Sequence, residues 1–193
     1  YNFPTDDYSY NNMAAGTALK DGKATEKTYQ EEYKLVGYFG RINYNYQGKY
    51  YLSASIRHEG SSKFGADHKW GTFPAVSIGW NLKEESFLKN VNFLSFLKLR
   101  AGYGITGTIP GNPYLSLNTL DLGGYGYYGG QWTTLLRASS NPNPDLRWEK
   151  KKETNIGLDF AFFNDRISGS IDWYNRDTDD LIWDYTVSVP PYV

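Results

Sequence analysis

The chain has 193 residues, with 20 Lys plus Arg against 21 Asp plus Glu and a formal charge of -1, so it lacks the basic footprint that nucleic-acid binding requires. Mean hydropathy is -0.61 and no apolar run approaches the ~18 residues of a spanning helix, which excludes a helical membrane protein but not a β-barrel, whose strands carry polar residues at every second position. Cysteine is absent, which removes disulfides, thiolate metal sites and a cysteine nucleophile.

Residues 1–33 are polar and read as loop, with a short helical turn near Ala14–Leu19. No secretory leader is visible, since Tyr1 opens directly into this stretch. From Leu35 the period becomes two. A first strand is predicted over Leu35–Tyr46, with Val36, Tyr38, Gly40, Ile42, Tyr44 and Tyr46 on one face and Arg41, Asn43 and Asn45 on the other. After Gln47-Gly48-Lys49, a second strand over Tyr50–Glu59 sets Tyr50, Leu52, Ala54 and Ile56 against Tyr51, Ser53, Ser55, Arg57 and Glu59. Gly60–Lys69 is a polar loop. A third strand over Gly71–Leu82 places Val76, Ile78 and Trp80 on its apolar face; Pro74, poor in a central ladder, is expected to mark its start or a bulge.

Lys83–Ser95 reads as a connector with a helical turn. The fourth strand, Phe96–Thr106, alternates most cleanly: Leu97, Leu99, Ala101, Tyr103 and Ile105 oppose Lys98, Arg100, Gly102, Gly104 and Thr106. A long loop, Gly107–Leu146, is rich in Gly, Pro, Asn and Tyr. The fifth strand, Lys152–Phe163, and the sixth, Arg166–Arg176, flank Asn164-Asp165. Their apolar faces are Thr154, Ile156, Leu158, Phe160 and Phe162, then Ile167, Gly169, Ile171 and Trp173. Leu181–Val189 reads as the start of a seventh strand, stopped by Pro190 and Pro191.

Three regularities bear on function. The apolar faces carry no Lys, Arg, Asp or Glu, whereas the opposite faces hold Arg41, Arg57, Lys98, Arg100, Glu153, Asp159 and Asp172. Connectors alternate between short and long, as in outer-membrane barrels with short periplasmic turns and long extracellular loops. Aromatics make up 18% of the chain and fall into two bands: Tyr44, Tyr46, Tyr50, Trp80, Phe160 and Phe162 near the short turns, and Tyr38, Tyr103 and Trp173 near the long loops. Two bands flanking an aliphatic zone are what two water–lipid interfaces select. The fold class predicted is all-β, antiparallel up-and-down strands forming part of a large transmembrane barrel. The alternative is a soluble carbohydrate-binding β-sandwich, in which a second sheet covers the apolar face.

Catalytic and cofactor motifs do not survive inspection. Gly102-Tyr-Gly104-Ile-Thr-Gly107 spells a dinucleotide fingerprint, but Pro110 and Pro113 follow where a helix is needed. His58 and His68 are isolated. Asp177, Asp179 and Asp180 read as a solvated loop cluster without the Gly and distal Glu of a calcium loop. Glu153, Asp159 and Asp172 share their face with Arg and Lys, which suits an ion-paired wall better than a glycosidase pair. No enzyme activity and no cofactor are implied. Tyr125, Tyr127, Tyr128 and Trp132 are the best candidates for substrate or partner contact, since aromatic faces stack on sugars and anchor interfaces. The glycine spacing around them favours a compact loop in which they pack on each other.

The segments Leu35–Tyr44, Tyr51–Arg57 with Gly60-Ser-Ser-Lys-Phe-Gly65, Trp70–Trp80, Phe96–Gly104, Asn141-Pro-Asn-Pro-Asp-Leu-Arg-Trp-Glu149 and Glu153–Arg176, taken in order, resemble the C-terminal half of the barrel in SusC/RagA-like TonB-dependent transporters. The resemblance implies an outer-membrane barrel of about 22 strands, a plug domain, a periplasmic contact to TonB, a SusD-like surface lipoprotein over the mouth, and import of glycans, oligosaccharides or peptides. It places the seven charged residues named above on the lumen wall and the apolar face against membrane lipid. Six or seven strands fall short of the about eight that close the smallest common barrel. The chain therefore reads as one partial β-barrel domain over residues 1–193, a fragment without a plug.

The faces also fix register, because a one-residue slip reverses every side chain. In the last hairpin a two-residue loop at Asn164-Asp165 is expected to pair Phe163 with Arg166, setting Phe160 opposite Gly169, Leu158 opposite Ile171 and Glu153 opposite Arg176. In the first, Tyr46 is expected opposite Tyr50, with positive φ at Gly48 or Lys49.

Overall fold

The computed structural model describes residues 31–188. The chain divides into two units, Tyr1–Tyr33 and Lys34–Val193, and every described strand belongs to the second. The helical turn expected near Ala14–Leu19, and Val189, lie outside the described residues. The strands are β1 (Leu35–Tyr46), β2 (Tyr50–Ser61), β3 (Trp70–Asn81), β4 (Leu94–Thr108), β5 (Leu120–Tyr128), β6 (Gln131–Ala138), β7 (Glu149–Phe162) and β8 (Ile167–Asp179). A 3-10 turn at Leu82–Glu84 and a single helical turn, α1 (Ser86–Lys89), fill the connector before β4. There the ammonium of Lys83 donates to the carbonyls of Leu88, Lys89 and Val91, closing carbonyls that a helix C-terminus leaves open.

Six strands form one antiparallel sheet in the order β1-β2-β3-β4-β7-β8; β5 and β6 form a separate hairpin. The register preserves both faces from end to end. One row reads Ile42, Ala54, Val76, Tyr103, Thr154, Asn175; the next reads Tyr44, Leu52, Ile78, Ala101, Ile156, Trp173; a third reads Tyr46, Tyr50, Trp80, Leu99, Leu158, Ile171. Phe160 stands opposite Gly169 and Glu153 opposite Arg176, as the parity requires.

Three expectations need correction. The stretch Gly107–Leu146 is not a structureless loop: it contains the β5–β6 hairpin, whose alternation is masked by glycines at 123, 124, 126, 129 and 130 and broken by a bulge between Leu122 and Gly124. Residues 181–188 form no strand. The last turn is longer than two residues. Phe163 and Arg166 leave the ladder, and Phe163, Asn164 and Asp165 all take positive φ (55°, 54° and 64°). This conformation, costly for a bulky residue, is held by Phe163 N–H donating to the Phe93 carbonyl (2.8 Å) and Asp165 N–H to Ser95 Oγ (3.3 Å). In the first turn Gly48 takes positive φ, as expected, and Gln47 does so as well.

Pro74 lies inside β3, opposite Ile56. The β3–β4 ladder ends beside it, at Ala75↔Gly104. Proline has no N–H to give to a second neighbour, so it marks where β3 and β4 part. The hydrophobic core of the described residues sits near that parting: Phe64, Phe73, Leu146 and Trp148, with Ile105, Ile109, Leu115 and Ile182 against them. Gly71 and Gly107 both lie against the Phe73 ring and the Trp148 indole, leaving no room for a side chain at either position.

Candidate functional site

The seven charged residues singled out from the sequence all lie on one face of the sheet, by register. Arg100 is the hub. Its guanidinium donates to Asp159 on β7 (3.0 and 3.1 Å) and to Asp172 on β8 (3.0 Å). Arg100, Gly157 and Asp172 share a row, and a side chain at Gly157 would sit 2.6 Å from both the guanidinium carbon and an Asp172 oxygen. Glycine there lets the arginine cross a whole strand. Glu153 accepts from Arg176 (2.8 and 2.5 Å), and Arg57 pairs with Glu59 on its own strand. Lys98 stands 4.6 Å over the Tyr51 ring, and Arg41 5.3 Å over Phe39. Asp159 and Asp172 share one guanidinium, the ion-paired wall expected from the sequence. Gly102, Gly104 and Gly107 lie within β4, which runs on to Thr108 with no helix behind it, so they make no dinucleotide site.

The opposite face is uncharged through its middle and uncovered. Ile42 is 73% exposed, Ile78 56% and Ile171 64%. No second sheet lies over them among the described residues, which argues against a sandwich. Tyr46, Tyr50 and Trp80 stack in sequence near the short turn, with ring centroids 6.4 and 6.3 Å apart. Glu85, in the connector, accepts from the Tyr50 hydroxyl (2.6 Å), the Trp80 indole (3.1 Å) and the Lys49 ammonium (3.3 Å). The Tyr50 hydrogen bond first, then Trp80 and Lys49, hold the Glu85 carboxyl below the usual carboxylate range. At the other end Trp70 stacks on His58 (4.8 Å) and Tyr38 (6.4 Å). Its indole also covers Gly60, directly across the ladder.

The two motifs Gly60–Gly65 and Asn141–Glu149 meet at the long-connector end. Phe64 (1% exposed) and Trp148 (3%) pack at 4.8 Å. Gly65 N–H donates to the Leu146 carbonyl, and the Trp148 indole donates to the Lys69 carbonyl, both at 3.0 Å. The buried Lys63 ammonium donates to the carbonyls of Pro110 (3.0 Å) and Gly111 (2.6 Å). Glu149 accepts from Ile182 N–H (3.1 Å). Sequence reasoning missed this clamp. Its signal was Phe64, the one large apolar residue in the polar stretch Gly60–Lys69.

From the clamp the β5–β6 hairpin projects, with the hydroxyls of Thr119, Ser139 and Ser140 hydrogen-bonded at its root. Tyr127 pairs with Trp132, their rings edge to face at 5.5 Å. By register Tyr125 shares their face, while Tyr128 lies on the other. The rings do not bury one another in a compact loop: Tyr125 is 69% exposed and Trp132 72%. Asp177 and Asp179 are likewise not in a loop. They extend β8, where Lys152 pairs with Asp179 (2.5 Å).

Residues 1–192 match the family described as TonB dependent receptor-like, beta-barrel. The chain belongs to this family. Over 169 residues it is 46% identical to the TonB-dependent receptor SusC of Bacteroides thetaiotaomicron, covering 84% of this chain and 17% of that protein. It is 35% identical over 181 residues to a TonB-dependent receptor of Formosa agariphila, covering 94% of this chain and 18% of the relative. The chain thus spans less than a fifth of the curated relatives it matches. Among solved structures it is similar to the RagAB peptide transporter, with a TM-score of 0.74 and 30% identity over 89% of this chain and 19% of the other. It is also similar to the RagAB peptide importer in the open-open state, at a TM-score of 0.73. The fold is that of a TonB-dependent receptor barrel, seen here as an unclosed part of it, and the family is one of the Gram-negative outer membrane.

Proposed function

We propose that this chain is barrel wall and extracellular loop of an outer-membrane importer of glycans, oligosaccharides or peptides, energised through TonB and partnered by a SusD-like surface lipoprotein. The observation that carries the reading is the two-faced sheet: an uncharged outward row set that suits lipid, backed by a wall of paired charges that suits a water-filled lumen. The names of the relatives, receptors and importers, support it. In this reading Arg41, Arg57, Lys98, Arg100, Glu153, Asp159 and Asp172 line the lumen. The neutral, ring-rich hairpin offers Tyr125, Tyr127, Tyr128 and Trp132 to substrate or to the lipoprotein.

The test is uptake. Deleting the gene that encodes the full-length protein should abolish growth on a polymeric glycan or peptide nutrient while growth on its monomers persists. Normal growth on every such polymer would overturn the reading. Trp132→Ala with Tyr127→Ala should slow uptake without lowering the amount of assembled barrel; unchanged uptake would remove the hairpin from the proposal.

A further inference from the structure

Lys98 carries a charge that the sheet does not neutralise. Its ladder neighbours are Asn81 on β3 and Asp159 on β7. It bonds to neither: Asp159 is held by Arg100, and Asn81 Oδ1 is buried without a hydrogen-bond partner. The side chain instead crosses β3 to Tyr51 on β2, where the ammonium stands 4.6 Å from the ring centroid. Gly79 permits the crossing, since a side chain there would begin 3.1 Å from Lys98 Cε. Tyr51 is itself fixed, its hydroxyl donating to the Gly48 carbonyl (2.9 Å). A ring face attracts a cation without accepting its N–H groups as an oxygen would. The ammonium is therefore positioned but keeps its charge and has no oxygen partner among the described residues.

This ammonium borders a depression of 470 Å³ on the charged face of the sheet, within the about 300–1,000 Å³ range of small-ligand sites. The floor is nearly bare, made of Ser77, Gly79 and Gly102, with Asn43, Asn45, Ser53 and Asn155 around it. No Asp or Glu lines it. Its other cation, Arg100, is committed to Asp159 and Asp172. An anion entering here meets an uncommitted ammonium and no lining carboxylate. The amides and hydroxyls around it both donate and accept, which suits a ligand dense in hydroxyls. By register Tyr51 is the only ring or aliphatic side chain that lines the depression from the charged face. A peptide would find no apolar niche for its side chains, whereas a hydroxylated ring needs none.

We infer that this depression binds an acidic sugar, a uronate unit, with Lys98 Nζ donating to its carboxylate and the surrounding amides and hydroxyls pairing with its ring hydroxyls. This rests on the reading of the charged face as lumen wall and deepens the glycan branch of the proposed function. Hydrogen bonds to a charged partner are about twice as strong as neutral ones, so the site discriminates by the carboxylate and not by the hydroxyls.

The experiment measures equilibrium binding of tri-galacturonate, and of its fully methyl-esterified form, to the full-length protein purified in detergent at low salt. The two probes share their hydroxyls and differ in charge. The acid should bind about tenfold or more tightly than the ester. Lys98→Gln should bring the acid down to the level of the ester, and Lys98→Arg should retain most of the preference. Equal binding of acid and ester by the wild-type protein would overturn the site, a result that needs no variant to fold. Binding of neither would overturn it too, as when another part of the full-length chain covers the depression. A preference that survives Lys98→Gln would place the anion elsewhere and overturn it as well. The importer reading fails separately: growth on every polymer after gene deletion would sink that reading while acid-selective, Lys98-dependent binding stands, and loss of polymer growth with no acid preference would sink the uronate site alone.

Discussion

The Phe160 ring lies over the bare backbone of Gly169 directly across the β7–β8 ladder, so close that a methyl group on Gly169 would stand 2.9 Å from the ring. An aromatic covering a cross-strand glycine restores the contact that the glycine lacks. The pair should therefore be coupled. Phe160→Ala and Gly169→Val should each cost roughly 0.2–1 kcal/mol, and the double variant should differ from their sum, because the added valine refills the space the ring has left. Urea unfolding of the full-length protein refolded into lipid vesicles reads all three. Strict additivity would show that the ring does not act on Gly169.

Ile78 and Leu99 lie in adjacent outward rows, and Ser77 lies next to Ile78 on the opposite face. If the outward face meets hydrocarbon, Ile78→Arg or Leu99→Arg should cost about 2–4 kcal/mol near the midplane. Ser77→Arg, entering the polar side, should cost clearly less. The folded fraction on unheated gels measures the difference. Equal tolerance of the three would contradict the assignment of faces.

The six long strands were legible because strict alternation over ten or more residues admits one reading, and the two faces then determined every partner across Phe160, Gly169, Glu153 and Arg176. The ion-paired wall was legible as a set of charges on one face. Its geometry was not, because nothing in the sequence says that Gly157 lets Arg100 reach across β7 to Asp172. The β5–β6 hairpin was hidden by its glycines, which supply no side chain to alternate. The clamp was hidden for another reason: Phe64 and Trp148 are 84 positions apart in the chain, and such contacts leave no local period.

The clamp makes its own prediction. Trp148 touches Phe64 and Phe73 and donates to the Lys69 carbonyl. Trp148→Ala removes a buried aromatic, a change that costs about 3–5 kcal/mol in ordinary cores. The loss should fall on the connectors and not on the strands. Added protease should then cut within 107–146 in cells displaying the variant while the barrel stays assembled. Gly65→Ala should act similarly, because its methyl group collides with the Pro144 carbonyl. Resistance equal to wild type in both variants would remove the clamp as the fastener of the loop.

Glu85 supplies a pH dependence. Its carboxyl is held low chiefly by the Tyr50 hydroxyl, then by Trp80 and Lys49. A group whose folded pKa lies below its unfolded value stabilises fully above the unfolded value and loses that contribution as pH falls through the folded one. Stability of the full-length protein should thus be flat in this contribution above the ordinary carboxylate range and decline below it. Glu85→Gln should lower stability at neutral pH and flatten the acid decline. An unchanged acid limb in Glu85→Gln would show that the three donors do not depend on the charge.

Connector lengths set an orientation. Gln47–Lys49 and residues 163–166 make tight turns at one end of the sheet, and residues 62–69 and 109–148 lie at the other. Outer-membrane barrels keep short turns in the periplasm and long loops outside. The tip of the hairpin, Gly129-Gly130, has positive φ at both residues and open space around each, so an inserted epitope meets no obstruction there. An epitope at Gly129-Gly130 of the full-length protein should bind antibody on whole cells, whereas one at Gln47–Lys49 should bind only after the outer membrane is permeabilised. The turn insertion is the more disruptive of the two, because Gly48 N–H donates to Asn45 Oδ1 and Lys49 N–H to the Tyr46 carbonyl, so its assembly must be confirmed by heat-dependent gel mobility before the comparison is read. Surface binding at Gln47–Lys49 in an assembled barrel would invert the orientation, and with it the placing of the Phe64–Trp148 clamp and the hairpin outside the cell.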